Sequence, residues 1–401
     1  MTIEIALFPP ERHGEFTGPL LNAFGLPFDA ERAKRVTQLG AIHHRIAALD
    51  DGHIVGSAGA YRLSMTTPGR LVPAAGLTMV AVLPTHRRRG ILTSMMRRHF
   101  EEAHDNGMPV SVLWASEGQI YGRFGYGLGS WTGVVSIERA HARFKRPLPQ
   151  PGRFRFVDER EAVEKFAAVY ERVQPHTPGM LVRSPAWWDV RRLYDYDKSA
   201  PPLQRVLLEI DGKPEGYAIY RLSNKMVPFG IVQSNLVVTE ALGASANATW
   251  QVWRYLVDMD LAARIEAPLL SPSHPILHML DEPRRIHMEI EDGLWVRLVD
   301  AEAALNSRSY PAHLSLTFAL HDAFCPWNSG VYRVADGRVE RSQASPDIKL
   351  DASALGALYL GGTTARHLAD AGDLDELTPG AVDRATLLFR STCEPWCPEM
   401  F

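Results

Sequence analysis

Leu77 to Tyr126 read LTMVAVLPTHRRRGILTSMMRRHFEEAHDNGMPVSVLWASEGQIYGRFGY, and the rest of the chain is understood from this stretch outward. Leu77-Thr78-Met79-Val80-Ala81-Val82 is an apolar strand pattern closed by Pro84. A basic, glycine-ended turn follows, His86-Arg87-Arg88-Arg89-Gly90. Ile91, Leu92, Met95, Met96, Phe100 and Ala103 then recur on one side of a 3.6-residue period, which predicts an amphipathic helix. Asn106-Gly107 ends that helix, and Val110 to Trp114 begins another strand.

A strand, a basic loop and a helix N-terminus together make an anion site. The first helical amides lack intrahelical acceptors, the helix dipole favours negative charge there, and arginines add charge-assisted bonds. A pyrophosphate suits such a site. Neither the G-x-G-x-x-G dinucleotide pattern nor the P-loop Lys-Ser/Thr is present. Arg87-Arg88-Arg89-Gly90-Ile91-Leu92 resembles instead the acyl-CoA loop of the GNAT acetyltransferases, R/Q-x-x-G-x-G/A, with Leu92 departing from the final small residue. VAVLPTHRRRGIL, ASEGQIYGRFGY and the aromatic end at Phe401 together resemble the Eis family of GNAT enzymes over the whole chain.

With 401 residues, the chain is too long for one ordinary core. A net charge of -3 argues against nucleic acid as the main partner, because binding it requires neutralising phosphates. Three cysteines, Cys325, Cys393 and Cys397, are too few and odd in number for a disulfide framework, and Cys393-x-x-x-Cys397 is a weak metal signal. The beginning MTIEIALFPP does not read as a signal peptide, and no apolar run reaches the length of a membrane span. The expectation is a cytoplasmic protein with no metal.

Residues 1–145 read as one α/β unit. It has a first strand at Ile3–Leu7 and two helical stretches between Glu11 and Leu39. A hairpin turns at Asp50-Asp51-Gly52 and a further reversal at Pro68-Gly69. A short helix over Gly118–Phe124 and a last strand over Trp131–Ile137 complete it. Arg143 to Gly152, RFKRPLPQPG, reads as a linker. Residues 150–290 partly repeat the first unit: Ile219-Tyr220-Arg221-Leu222 echoes Ala60-Tyr61-Arg62-Leu63, and an apolar strand and a helix follow in both. EALGASANA, however, stands where the basic turn would be. Residues 293–401 alternate strands with the helical segments Leu355–Gly361 and Thr364–Ala371. The resemblance implies two tandem GNAT-like domains, the second degenerate and structural, plus a C-terminal sterol-carrier-protein-like α+β domain. A fold of that kind does not by itself imply sterol binding.

The same resemblance assigns roles. Acetyl-CoA would rest its diphosphate on Arg87, Arg88, Arg89, Gly90 and Ile91, and its pantetheine arm along Val80, Ala81 and Val82, with Val82 at a bulge that frees an N–H for the carbonyl oxygen. Ser116 matches the serine of the family's ASEG segment. By the superfamily's Y-x-x-x-G-F spacing, Tyr121 is the general acid for the leaving thiolate and Tyr126 a packing residue. Among His43, His44, His86 and His99 no base stands out; the family is understood to use the carboxylate of its final Phe, here Phe401. Apolar Trp396, Met400 and Phe401 predict a docked tail. Phe24, Phe28, Asp29 and Glu399 are candidates to meet the acceptor, while Lys34 and Arg35 would repel a polycation.

The expected activity is direct acetyl transfer from acetyl-CoA to a primary amine of an aminoglycoside-like or other polyamine substrate, in a homo-hexamer. Acetylation of protein lysines or small alkylamines is the alternative within enzymes. A CoA- or lipid-binding sensor without turnover is the alternative outside them.

Overall fold

The computed structural model describes residues 3–39, 42–147, 152–197, 199–228 and 231–401. Positions 148–151 of the proline-rich linker lie outside these. The chain forms two compact units, residues 1–130 with 178–181 and 292–401, and residues 131–177 with 182–291.

In chain order the strands are β1 (Glu4–Leu7), β2 (Ile42–Asp50), β3 (His53–Thr67), β4 (Arg70–Val82), β5 (Val110–Trp114), β6 (Gly127–Leu128) and β7 (Trp131–Glu138). There follow β8 (Arg153–Phe156), β9 (Gln204–Ile210), β10 (Lys213–Val227), β11 (Ile231–Gly243), β12 (Ala262–Leu270), β13 (Ile286–Asp292) and β14 (Leu294–Leu298). The last five are β15 (Leu316–His321), β16 (Gly330–Ala335), β17 (Arg338–Arg341), β18 (Ile348–Asp351) and β19 (Leu374–Glu376).

One sheet has the order β1-β2-β3-β4-β5-β14-β6, and a second has β13-β7-β12-β11-β10-β9-β8. Each is built from six strands of its own half and one from the other, and the two borrowed strands hold equivalent places. The strand expected to close the first unit, Trp131–Glu138, therefore lies in the second sheet, antiparallel to β12. Its place in the first sheet is taken by β14, antiparallel to β5 and β6. The third sheet, β17-β16-β15-β18-β19, belongs to the C-terminal domain.

The amphipathic helix spans Ile91–Asp105 and buries Ile91, Met95, Met96, Phe100 and Ala103 against Ile46, Ala58, Ala75, Leu77 and Leu113. Val299 and Cys325 join this core, so the C-terminal region helps to seal the first domain. Buried Arg297 on β14 donates two bonds to Asp322, at 2.8 and 2.7 Å. The helix Ala352–Tyr359 meets β6 backbone to backbone. A Cβ on Gly127 would lie 2.0 Å from the Ser353 carbonyl oxygen, and one on Gly356 would lie 2.3 Å from that of Val296.

Other expected elements shift. The helix at Gly118–Phe124 shrinks to a single 3₁₀ turn, Gly122–Phe124, because the chain must turn there through Gly125 at φ +83°. In the second half, Pro185–Trp187 forms a short α turn that runs into a π-helical turn, Trp188–Leu193. The start of the expected linker is packed, not free: Phe144 is buried and bridges Leu280, and Arg143 pairs with Asp281 at 2.6 Å.

Candidate active site

β4 and β5 run parallel only over Ala74–Val110, Ala75–Ser111 and Gly76–Val112. Beyond Gly76, β4 continues to Val82 and β5 to Trp114 without pairing, so the two strands form a fork. The cause lies on the other side of β4. Pairing with β3 shifts between Ser57–Ala81 and Gly59–Thr78, which leaves Met79 and Val80 opposite the single residue Ala58. Met79 has φ +54°, and Ser57 Oγ donates to its carbonyl at 2.9 Å. This is a β-bulge, which bends a strand and interrupts its ladder. It sits at Met79–Val80, not at Val82 as expected, because the cross-strand register with Ala58 fixes its position.

A cleft of about 680 Å³ opens along the fork. Val80, Ala81, Val82, Arg87, Arg88, Gly90, Ile91, Ser116 and Tyr121 all line it, and so does Phe24. Leu92, Thr93, Ile120 and Arg123 also line it; sequence reasoning had not selected them as site residues. Arg89 does not. It points back toward Asp50, 4.0 Å away, and His86 Nε2 stands 3.1 Å from the same carboxylate. Asp50 thus braces the basic loop, a role hidden in a position that reads only as a turn residue.

Backbone geometry shapes the loop. Arg88 has φ +64° and Gly90 φ +78°, and no side chain caps the helix that starts at Ile91. A Cβ at Gly90 would meet nothing within 4 Å, so open space lies over the glycine. Alternating backbone of this kind aims N–H groups at a common point and binds anions. A diphosphate fits this donor set.

Tyr121 is buried, and loss of solvent pushes its phenol up to about 12. Among the described residues no hydrogen-bond partner is recorded for its hydroxyl. Tyr126 is different: its ring stands across from that of Tyr121, centroids 5.8 Å apart, and its hydroxyl is 2.6 Å from Ser111 Oγ. The two tyrosines divide into one that faces the cleft and one sealed behind it.

Behind the fork runs a polar spine. Ser111 Oγ donates to the Ala75 carbonyl at 3.1 Å, one residue before the strands part. With its proton committed there, Ser111 accepts from Tyr126 and from His99 Nε2, 2.8 Å away. His99 Nδ1 then accepts from His44 Nε2 at 2.9 Å, and His44 Nδ1 faces His43 Nδ1 at 3.3 Å. This assignment needs both inner imidazoles neutral. Burial, with positive neighbours, pushes His44 down to about 4 and His99 well below its ordinary range.

The tail docks. Phe401 stands edge-on to Tyr61, centroids 6.4 Å apart, and a Cβ on Gly76 would lie 3.1 Å from its ring. Tyr61 and Gly76 are cross-strand partners, and Gly76 is the last residue of β4 before the fork. Glu399 is buried and Met400 exposed. Of the acceptor candidates, Phe28 is exposed and Asp29 caps the helix Ala30–Gln38 by accepting from the Arg32 N–H at 3.0 Å. Arg35 is paired with Glu31 at 3.0 Å.

The second sheet keeps a bulge in the corresponding hairpin, between Ile219 and Tyr220. No basic loop follows it. Glu240 is instead buried there, held by Arg183 at 2.8 and 2.6 Å, Arg192 at 2.7 Å and the Tyr217 hydroxyl at 2.5 Å. Burial alone would raise this carboxyl, but the two guanidinium groups bring it down to about 2. Among the described residues no cluster of metal-ligating side chains occurs, and no helix is long and apolar enough to cross a membrane.

Comparison with known proteins agrees with this geometry. Residues 14–129 and 179–298 each match an acetyltransferase (GNAT) domain family, and residues 301–398 match the sterol carrier protein domain. An uncharacterized N-acetyltransferase of Streptomyces avermitilis is 38% identical over the full length of both chains. N-acetyltransferase Eis of Mycobacterium tuberculosis is 36% identical over 84% of this chain and 83% of its own. The crystal structure of Eis1 from Mycobacterium abscessus superposes with a TM-score of 0.88 at 31% identity, covering 99% of this chain and all of that one. Two acetyltransferase domains, a sterol-carrier-like third and relatives of this extent settle the family: the chain is a GNAT N-acetyltransferase and belongs to the Eis family.

Proposed function

We propose that the enzyme transfers acetyl directly from acetyl-CoA to a primary amine at the fork of β4 and β5. The observation that carries this reading is a single cleft lined by the basic loop, the bulged strand and Tyr121. Arg87, Arg88 and the first amides of the Ile91–Asp105 helix would hold the diphosphate. The backbone at Met79–Val80, freed by the bulge, would serve the thioester carbonyl.

In the reaction the amine nitrogen bonds to the carbonyl carbon, the C–S bond breaks, and two protons move. Tyr121 gives its proton to the departing thiolate. In water a phenol and a thiol differ by about 1.5 pKa units, or ~2 kcal/mol, and burial raises both together, so the transfer remains affordable. The terminal carboxylate of Phe401 accepts the proton that the attacking nitrogen sheds. Positioning and the carbonyl donor supply most of the acceleration.

For the acceptor we propose an aminoglycoside-like or other polyamine substrate. A second reading has a specific basis: Phe24, Leu26 and Phe28 expose three large apolar side chains on one segment, and Phe24 lines the cleft. That surface suits an alkylamine with an apolar body, and the Arg35–Glu31 pair leaves little net charge beside it. A homo-hexamer in the cytoplasm belongs to the same proposal. The test is to incubate the protein with acetyl-CoA and a panel of aminoglycosides, polyamines, alkylamines and lysine peptides. Mass spectrometry then identifies the acetylated product. Acetylation of none of them, with acetyl-CoA bound, would turn the reading toward a sensor.

A further inference from the structure

The C-terminal tail is held at two points before it reaches the fork. Upstream, Pro395 packs on Gly362, where a Cβ would lie 2.9 Å from the proline ring. Downstream, the Trp396 N–H donates to the Pro178 carbonyl at 2.9 Å. Pro178 lies in a segment whose flanking sequence, residues 131–177 and 182–291, builds the other unit.

Residues 178–181 form a strap along the end of β3. The Gly179 N–H donates to the Thr66 carbonyl and the Thr66 N–H to the Met180 carbonyl, both at 2.9 Å, and Met65 bridges Leu181. Gly179 has φ +93°, and a Cβ there would lie 3.1 Å from the Trp396 carbonyl oxygen, 3.3 Å from its carbon and 3.4 Å from its nitrogen. Glycine is required twice, for the left-handed backbone and for the close approach of the tail. The same strand, β3, carries Tyr61, on which Phe401 rests. One strand therefore registers both the strap and the end of the chain.

We infer that Pro178–Leu181 is a positioning element for the terminal carboxyl group: a few residues supplied from the stretch of the second acetyltransferase-like half fix where the proton acceptor of the first sits. The inference rests on the reading of Phe401 as that acceptor. Gly179 does not touch substrate; it acts through the tail. Placing a reacting group an ångström out of line costs up to about 100-fold in rate, so Gly179→Ala should lower kcat roughly 10- to 100-fold. Acetyl-CoA affinity should stay within about twofold, since the cleft residues are elsewhere.

A double-mutant cycle separates positioning from mere packing. Gly179→Ala, deletion of Phe401, and the two combined are compared for kcat and for acetyl-CoA affinity by calorimetry. The expected result is that deletion lowers kcat, Gly179→Ala lowers it less, and the combination is no worse than deletion alone. If the two losses multiply, or if Gly179→Ala is as active as wild type while deletion is not, the strap inference is overturned and the tail reading stands. If deletion leaves kcat intact, the tail reading falls and takes the strap with it. Hydrogen exchange on the unaltered protein gives a measure that needs no variant. The Trp396 amide must be strongly protected, and rapid exchange there overturns the inference.

Discussion

The ring of Phe401 meets that of Tyr61 edge-on, with centroids 6.4 Å apart and planes at 83°. Tyr61 faces Gly76 across the strand pair, and Gly76 is where β4 and β5 separate. Phe401 is thus seated at the apex of the fork that the cleft follows. Four expectations follow, three from this domain and one from the buried cluster at Glu240.

Tyr121 is held protonated by burial, its phenol raised to about 12. As the proposed donor it would be lost only when pH climbs toward that value. Activity should therefore rise through neutral pH as the acceptor amine, with an ordinary value near 10, loses its proton, and should not decline by about pH 10. A pH profile of kcat checks this. A descending limb centred near 8 would assign the proton donor to another group.

Arg88→Ala removes one lining cation from the anion loop. A charge-assisted bond contributes about 1.5–3 kcal/mol, so the KM for acetyl-CoA should rise about 10- to 100-fold with kcat nearly unchanged. The dependence of KM on salt should also flatten. An unchanged KM would move the diphosphate away from this loop.

His44 and His99 are neutral in the fold, and His44 is held down at about 4. The unfolded chain takes up a proton near 6.5, whereas folded His44 does so only near 4. Stability contributed by neutral His44 is therefore complete above pH 6.5 and is lost progressively down to pH 4, by about 3 kcal/mol. Thermal melts at pH 7.5 and 5.0 should show this loss, and His44→Asn should reduce it. A Tm that is flat over that range would show that the imidazole spine does not govern acid sensitivity.

Glu240→Gln leaves Arg183 and Arg192 buried without their counter-charge. Breaking such a cluster costs about 3–5 kcal/mol, which urea denaturation would register. Acetyl-CoA binding at the first domain should persist in the folded variant. A loss below about 1 kcal/mol would mean that water reaches the cluster.

What the sequence disclosed, and what it hid, has a consistent physical basis. The strand, the Arg87–Gly90 turn and the helix after it were legible because each is written in local periodicity and turn chemistry. The Met79 bulge was misplaced because it depends on register with Ala58, in a different strand. Trp131–Glu138 reads as a strand correctly, yet alternation records only which face is buried and not which sheet the strand joins; its transfer to the second sheet was invisible. Tyr121 and Ser116 were picked out by resemblance to the family's motifs, and the structure puts both on the cleft. Asp50, Gly76 and Gly179 were not selected. Each owes its role to a partner distant in sequence, and nothing in its own neighbourhood marks it.

The most direct test of acyl transfer at the fork is to measure turnover and acetyl-CoA affinity side by side for the wild type, Tyr121→Phe and the chain lacking Phe401. The account predicts that both variants bind acetyl-CoA within about threefold of wild type while their turnover falls about 100-fold or more. Undiminished turnover in both variants, with the cofactor bound as before, would contradict it.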